Sequence, residues 1–380
     1  MIKIPVLLVL IVLVSLGNCS QTPVIPDEEQ HLELLWEHQY AKESASISTV
    51  ANSPTLIDEN GLLLAIDYGI TKINNRTGRA EWRYDLPEGS RFGNRKVLFD
   101  NSAVYIKHNM NNSSNSIDLE TGEENWRLNI EGEMFFDAIS DIMSNDHIFW
   151  GGKDTDIYQV SKTGKLIKQM SLNYRMRSGH YLNGDLIMAH SFRDRDRAQN
   201  ANQRFGKIVS YDLDADTVKW EYDNEYGGYT YAPILIENGN IYAGSTAGVN
   251  EFTAIDAETG EVLWRRLGQE SWAYSLGPNA IYFNDGTDLV ALDKSDGRRL
   301  WTTLIPGRGF DQANLAYLEG FVYHSHSGSF FVLDAQTGEI VYSTVLPDGS
   351  YAGNVSAGYG KVFVQSYFNL FCYKAWEELP

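Results

Sequence analysis

Cysteine, proline and positive charge are all scarce in this chain of 380 residues, and each scarcity narrows what it can be. Two cysteines, Cys19 and Cys372, cannot form the framework of a disulfide-rich scaffold. Cys372 falls in the apolar run "NLFCYK", where a buried, inert thiol is expected. Ten prolines against 22 tyrosines and 9 tryptophans suit an all-β protein with wide packed faces. Lysine and arginine total 31 against 50 aspartates and glutamates, a net charge of −19. That balance argues against nucleic acid as a partner, because binding phosphates requires clustered Lys and Arg. It also disfavours lying on an anionic lipid surface. No H-E-x-x-H, C-x-x-C, G-x-S-x-G or phosphate-cradling glycine loop occurs. The longest aliphatic run, Ile4 to Leu16, has about 13 residues, short of the ~20 that a membrane-spanning helix needs.

That run follows Lys3 and stops at Leu16-Gly17-Asn18-Cys19, as an export signal does. The junction resembles the lipobox of bacterial lipoproteins, which implies that Cys19 carries lipid and that Cys372 has no disulfide partner. Asn18 stands where such sites usually have a smaller residue, and an ordinary secretory signal would also fit. Ser20 after Cys19 is similar to an outer-membrane address. The expected organisation is a signal over 1–18, a flexible tether over 19–33 and one folded unit over 34–380.

What is abundant is a repeat. "AIDAETGEVLWRR" (254–266) recurs as "KINNRTGRAEWRY", "SIDLETGEENWRL", "ALDKSDGRRLWTT" and "VLDAQTGEIVYST", with looser copies around 164 and 216. The copies align on Gly78, Gly122, Gly164, Gly260, Gly297 and Gly338, with Asp216 standing in once. Four residues later come Trp82, Trp126, Lys168, Trp220, Trp264, Trp301 and Tyr342, and Trp36 begins the series. A period near 40–45 built from short alternating strands predicts a β-propeller. Each unit reads as four strands, A to D. Glycine takes positive φ in the C–D turn, and the Asp and Thr side chains bond nearby backbone groups. The Trp of strand D is expected to pack on the neighbouring blade. Trp36 has a strand D but no A to C, and residues 354–374 supply A to C but no D. Pairing the two ends gives an eight-bladed ring with no exposed seam.

The pattern Ala254, Asp256, Thr259, Gly260, Trp264 resembles the PQQ-type propeller repeat, over about residues 34 to 374. Within that family, an eight-bladed lipoprotein of this size is similar to the scaffold lipoproteins of outer-membrane β-barrel assembly. The resemblance implies a non-enzymatic binding protein, a monomeric propeller with protein partners and a lipid anchor, facing the periplasm. The same repeat also serves quinoprotein dehydrogenases that hold PQQ and calcium. No adjacent cysteines and no assignable calcium triplet support that cofactor here, so none is expected. The alternative is a ligand- or cofactor-binding propeller, and a cell-surface binding module comes third.

Candidate binding residues lie in the loops. The D–A loops carry Phe92, Phe136, Tyr229, Trp272, Phe310 and Tyr351 at similar places, accompanied by Arg91, Arg175, Arg177 and Arg308. Aromatics with arginine are the types enriched at protein–protein hot spots. They could equally plug the central channel, pack strand A or line a small-molecule pocket. The long B–C loop, residues 191–206, adds Arg193, Arg195, Arg197 and Arg204 in an otherwise acidic chain, as a contact loop or as a self-compensating solvated one. His324 and His326 share one strand face, with His190 and His108 at similar strand-B ends. Two such histidines could ligate zinc, but no third ligand is visible, so solvent-facing or hydrogen-bonded histidines are expected. Pairs such as Asp154 and Asp156 read as charged solvated loop.

Overall fold

Within each repeat the two middle strands are apolar or small on both faces, and the last alternates. A propeller blade demands this, because neighbouring blades cover its inner strands on both sides while its outermost strand meets solvent. The computed structural model describes residues 31–377 apart from 41–53, 67, 89, 91–96, 109–112, 131–140, 152–154, 173–175, 193–203, 226, 230–233, 246, 249–250, 269–272, 287, 308–314, 327 and 351–352. The expected signal, Cys19 and Asp154 lie outside the described residues.

Eight four-stranded antiparallel sheets form the ring, an eight-bladed β-propeller. Blade 1 is Thr55–Leu56, Gly61–Ile66, Gly69–Asn74 and Ala80–Asp85, hydrogen-bonded in that order. Blade 2 ends in Glu124–Asn129, blade 3 in Leu166–Ser171 and blade 4 in Thr217–Asn224. Blade 5 is Leu235–Glu237, Asn240–Gly244, Glu251–Asp256 and Val262–Leu267, and blades 6 and 7 end in Arg299–Leu304 and Ile340–Val345. Blade 8 joins the chain ends: Val355–Gly358, Lys361–Gln365 and Asn369–Lys374 pair with Leu34–Gln39, which sets Trp36 opposite Cys372. Cys372 is buried, and that burial pushes its thiol pKa up to about 12.

The C–D turns follow one recipe. Asp256 Oδ1 accepts bonds from the Glu258 and Thr259 amides (3.0 and 2.8 Å) and from Thr259 Oγ1 (2.8 Å). Asn74, Asp118 and Asp334 do the same in their own turns. The turn glycine has φ +76° at Gly260, and the preceding blade's tryptophan lies directly on it. A methyl group at Gly260 would come within 2.6 Å of the Trp220 ring, and one at Gly297 within 2.4 Å of Trp264. Glycine is therefore needed twice at one place, for backbone conformation and for contact. Each ring nitrogen then donates to a carbonyl in the same turn, Trp220 to Ala257 (3.2 Å), Trp264 to Lys294 (2.8 Å) and Trp36 to Asn75 (2.9 Å). The same tryptophan seam joins blades 1 to 2, 2 to 3 and 6 to 7.

Two seams differ. Between blades 3 and 4 the tryptophan and glycine positions hold Lys168 and Asp216, and the two side chains form an ion pair. Between blades 7 and 8 the Tyr342 ring meets Trp376, 5.2 Å between centroids, where the chain leaves strand C for the last time. The register of all eight blades also slips just before the tryptophan position. This leaves one bulged residue on each outer strand: Glu81, Asn125, Ile167, Lys219, Leu263, Leu300, Val341 and Leu35.

Candidate functional site

Strand B runs toward the end of each blade where the B–C and D–A connections lie, and in six blades the described residues at its end are polar yet buried. His108, His190, Ser245, Asn284, His326 and Ser366 all belong to this inner belt. The belt is widest at blade 4, whose last three strands, Asp185–Phe192, Phe205–Asp212 and Thr217–Asn224, are each eight residues and the longest among the described residues.

Three of the expected binding residues fall here. Tyr229 is 1% exposed and its ring lies against Gly206, where a methyl group would approach to 2.8 Å. Its hydroxyl accepts a 3.4 Å bond from Asn224 Nδ2, and Asn224 Oδ1 in turn accepts the Gly227 amide at 3.1 Å. Gly227–Gly228 pairs with Ala247–Gly248, a two-stranded ribbon that folds the D–A segment back over the blade. Gly228 lies against Ser191 and Arg204, so Tyr229 and Arg204 share one patch. Arg204 is half-buried, and Arg177, on the first strand of the same blade, is 6% exposed. In this conformation Tyr229 packs within the protein. Arg91, Phe92, Phe136, Arg175, Trp272, Arg308, Phe310 and Tyr351 lie outside the described residues, as do Arg193, Arg195 and Arg197.

The same region holds a buried tie that sequence reasoning missed. Tyr222, on the outer strand of blade 4, donates a 2.5 Å bond to Glu251 Oε1 at the start of a blade 5 strand. Glu251 is fully buried, and its amide donates to Ser245 Oγ at 2.7 Å. Burial pushes the Glu251 carboxyl above its ordinary pKa, against the Tyr222 bond and the field of Arg265, which pull it down. Blades 1 and 2 repeat the device. Tyr84 donates to Glu124 Oε2 at 2.5 Å and accepts bonds from Asn115 Nδ2 and Arg127 Nη2, both 3.0 Å. There, burial is outweighed by Arg127 and Tyr84, which hold the Glu124 carboxyl below its ordinary value. Both tyrosines stand two residues after the seam tryptophan, so the spacing Trp-x-Tyr was the available signal.

His324 and His326 are buried rather than solvent-facing, with rings stacked 6.2 Å apart. His108 Nε2 bonds Asn115 Oδ1 at 2.6 Å. Among the described residues no three His, Cys, Asp or Glu side chains converge as a metal site requires. On the turn side, opposite the loop face, a groove of about 540 Å³ runs between blades 1 and 2, lined by Asp58, Lys72, Glu81, Asp118 and Glu120. Lys72 is already engaged there, 3.1 Å from Glu81 and 3.6 Å from Glu120.

A family model described as outer membrane protein assembly factor BamB matches residues 33–266. No curated protein matches the chain by sequence. Among solved structures, the BamB of Moraxella catarrhalis superimposes with a TM-score of 0.66 at 13% identity, covering 89% of this chain and 100% of that one. The quinohemoprotein alcohol dehydrogenase of Comamonas testosteroni gives 0.67 at 14% identity, over 92% of this chain and 77% of its own. The computationally designed Ika8 protein gives 0.65 at 15% identity, over 90% and 99%. At such identities the likeness is one of fold.

Proposed function

The chain belongs to the family of the outer membrane protein assembly factor BamB, and on that premise we propose that it is a non-enzymatic scaffold in outer-membrane protein assembly. In this reading it is exported, anchored through lipid on Cys19 and faces the periplasm. The family match over 33–266 carries the proposal. The blade 4–5 end fits this reading, its buried Glu251 carboxylate being tied by the Tyr222 hydroxyl across the seam. In this reading the D–A loops that carry Arg91, Phe92, Arg308 and Phe310, together with the B–C loops, form the surface offered to a protein partner, to which the buried Tyr229 does not contribute. The second reading, a quinoprotein oxidoreductase, draws on the shared fold of the alcohol dehydrogenase alone.

The test is crosslinking in the native membrane with the full chain as bait, followed by affinity purification and mass spectrometry. Enrichment of an outer-membrane assembly subunit, lost when Arg91, Phe92, Arg308 and Phe310 are replaced together, is expected. A Cys19→Ala bait should lose membrane retention. Absence of any such subunit with the protein intact and anchored would overturn the scaffold reading. A quinone chromophore co-purifying with the protein would establish the oxidoreductase instead.

A further inference from the structure

The eight outer strands are built to one register, so their solvent-facing positions can be compared one with another. Three residues after the seam position, blades 8, 1, 2, 3 and 4 carry Gln39, Asp85, Asn129, Ser171 and Asp223. The three consecutive blades 5, 6 and 7 carry Leu267, Leu304 and Val345 instead, exposed by 49%, 65% and 61%. The bulged residue adds to this on two of the blades, where Leu263 and Leu300 are exposed, though exposed aliphatic residues also stand at that place on blade 3 (Ile167) and blade 8 (Leu35). Scattered surface leucines need no explanation, but one register turning apolar on three adjacent blades makes a patch.

We propose that the outer rim of blades 5, 6 and 7 is a lipid-contacting face, lying against a bilayer surface. Three observations select lipid over other occupants. The apolar side chains are aliphatic, without the Tyr and Trp anchors that mark protein hot spots. Residues 261–267, 298–304 and 339–345 carry four arginines, Arg265, Arg266, Arg298 and Arg299, against Glu261 and Glu339, on a chain whose net charge is −19. Those arginines are exposed beside the leucines, Arg266 donating to the Gly297 and Asp296 carbonyls (2.8 and 3.0 Å) and Arg298 standing 3.7 Å from Asp293, an arrangement that lets aliphatic groups enter the headgroup boundary while guanidinium groups stand at phosphate level. The chain also enters the fold at Leu34 on blade 8, next to blade 7, with Leu34 and Leu35 exposed. Cys19 precedes Leu34 by 15 residues, a reach of at most roughly 50 Å. An anchor at Cys19 therefore brings this side of the ring within reach of the membrane.

The experiment places an environment-sensitive fluorophore at Leu304→Cys, at Val345→Cys and at the equivalent polar position Asp85→Cys. The full chain is mixed with phosphatidylethanolamine–phosphatidylglycerol vesicles, with or without brominated acyl chains. The unsubstituted protein reports any labelling of Cys19. A blue shift and bromine quenching at 304 and 345, but not at 85, are expected. Equal quenching at all three sites would mean that the anchor alone holds the protein near lipid, and would overturn the proposal. So would absence of quenching at every site. A concentration-dependent shift at 304 without vesicles would assign the face to a second copy and also overturn it. None of these outcomes depends on which protein the loop face binds, so the scaffold reading is tested separately.

Discussion

Six blade seams of this ring are closed by tryptophan on glycine, and the seam between blades 3 and 4 is closed by Lys168 on Asp216. The contrast separates two ways of fastening identical parts. The tryptophan seam removes a large ring from water, fills the space above a glycine and satisfies the indole nitrogen with a carbonyl of the same turn. The ion pair does none of the apolar work. Lys168 and Asp216 are both well exposed, so solvent screens their attraction. Yet the substitution is concerted: where the ring is lost, the glycine is lost with it. Asp216 adopts φ +56°, the left-handed conformation that glycine supplies elsewhere and that Asp tolerates better than most residues.

The largest break in the comparison comes from Trp264→Ala. It leaves a cavity over Gly297 and frees the Lys294 carbonyl, and a loss of about 3–5 kcal/mol in urea denaturation is expected. Gly297→Ala attacks the same seam from the other side, forcing a methyl group into the ring at φ +68°, at a cost of about 1–3 kcal/mol. Combining the two sharpens the assignment. In the Trp264→Ala background the Gly297→Ala change should cost less, because its steric partner is gone, and a double-mutant cycle measures that coupling.

Acid separates the seams by chemistry. The tryptophan rings and glycines have nothing to titrate. Hydrogen bonds from Lys168 and then Tyr211 hold the Asp216 carboxyl below its ordinary value. The ion pair's contribution is therefore present above about pH 4 and fades as pH falls, which hydrogen exchange of the blade 3–4 turns should register first. The background for that measurement is His324, whose imidazole burial, aided by His326, pushes down to about 3. The unfolded chain takes up that proton near 6.5 and the folded chain does not, so global stability falls as pH drops through this window. The limiting slope is about 1.4 kcal/mol per pH unit, and His324→Gln should flatten it. The smallest effect is Lys168→Ala, expected to shift the denaturation midpoint barely and only at low salt. Replacing both residues, Lys168→Trp with Asp216→Gly, should rebuild the common seam and raise the midpoint, whereas Lys168→Trp alone should not.

Both exceptions were visible in the sequence as gaps in a column. What the column does not contain is the one-blade offset that sets Lys168 of one repeat beside Asp216 of the next. The repeat itself was legible because its turn chemistry is local: Asp256, Thr259 and Gly260 meet within five residues. Ring closure was legible from a strand D without its companions. The Tyr222–Glu251 and Tyr84–Glu124 ties were not, since each joins residues 29 or 40 apart across a seam, and only packed blades bring them together. The histidines of blade 7 were expected in solvent or in hydrogen bonds. The second strand of a blade is covered on both faces along its whole length, which is why they lie inside. Tyr229 looked like its five aromatic counterparts, but the Gly227–Gly228 ribbon and the bare backbone of Gly206 decide where its ring goes, and neither signal belongs to Tyr229 itself.

The joining of Leu34–Gln39 to Asn369–Lys374 has a consequence in time as well as in space. The first strand of the fold to leave the ribosome finds its neighbour only when the final strand arrives, and the Tyr40 hydroxyl clasps the Ser366 carbonyl 326 residues later. Lengthening so large a loop costs little, about 0.6 kcal/mol for each doubling, so the delay adds more waiting than instability. During that wait the arc of finished blades has two raw ends. A chain cut short anywhere before residue 369 keeps them. The ring thus shuts only when both strands are present.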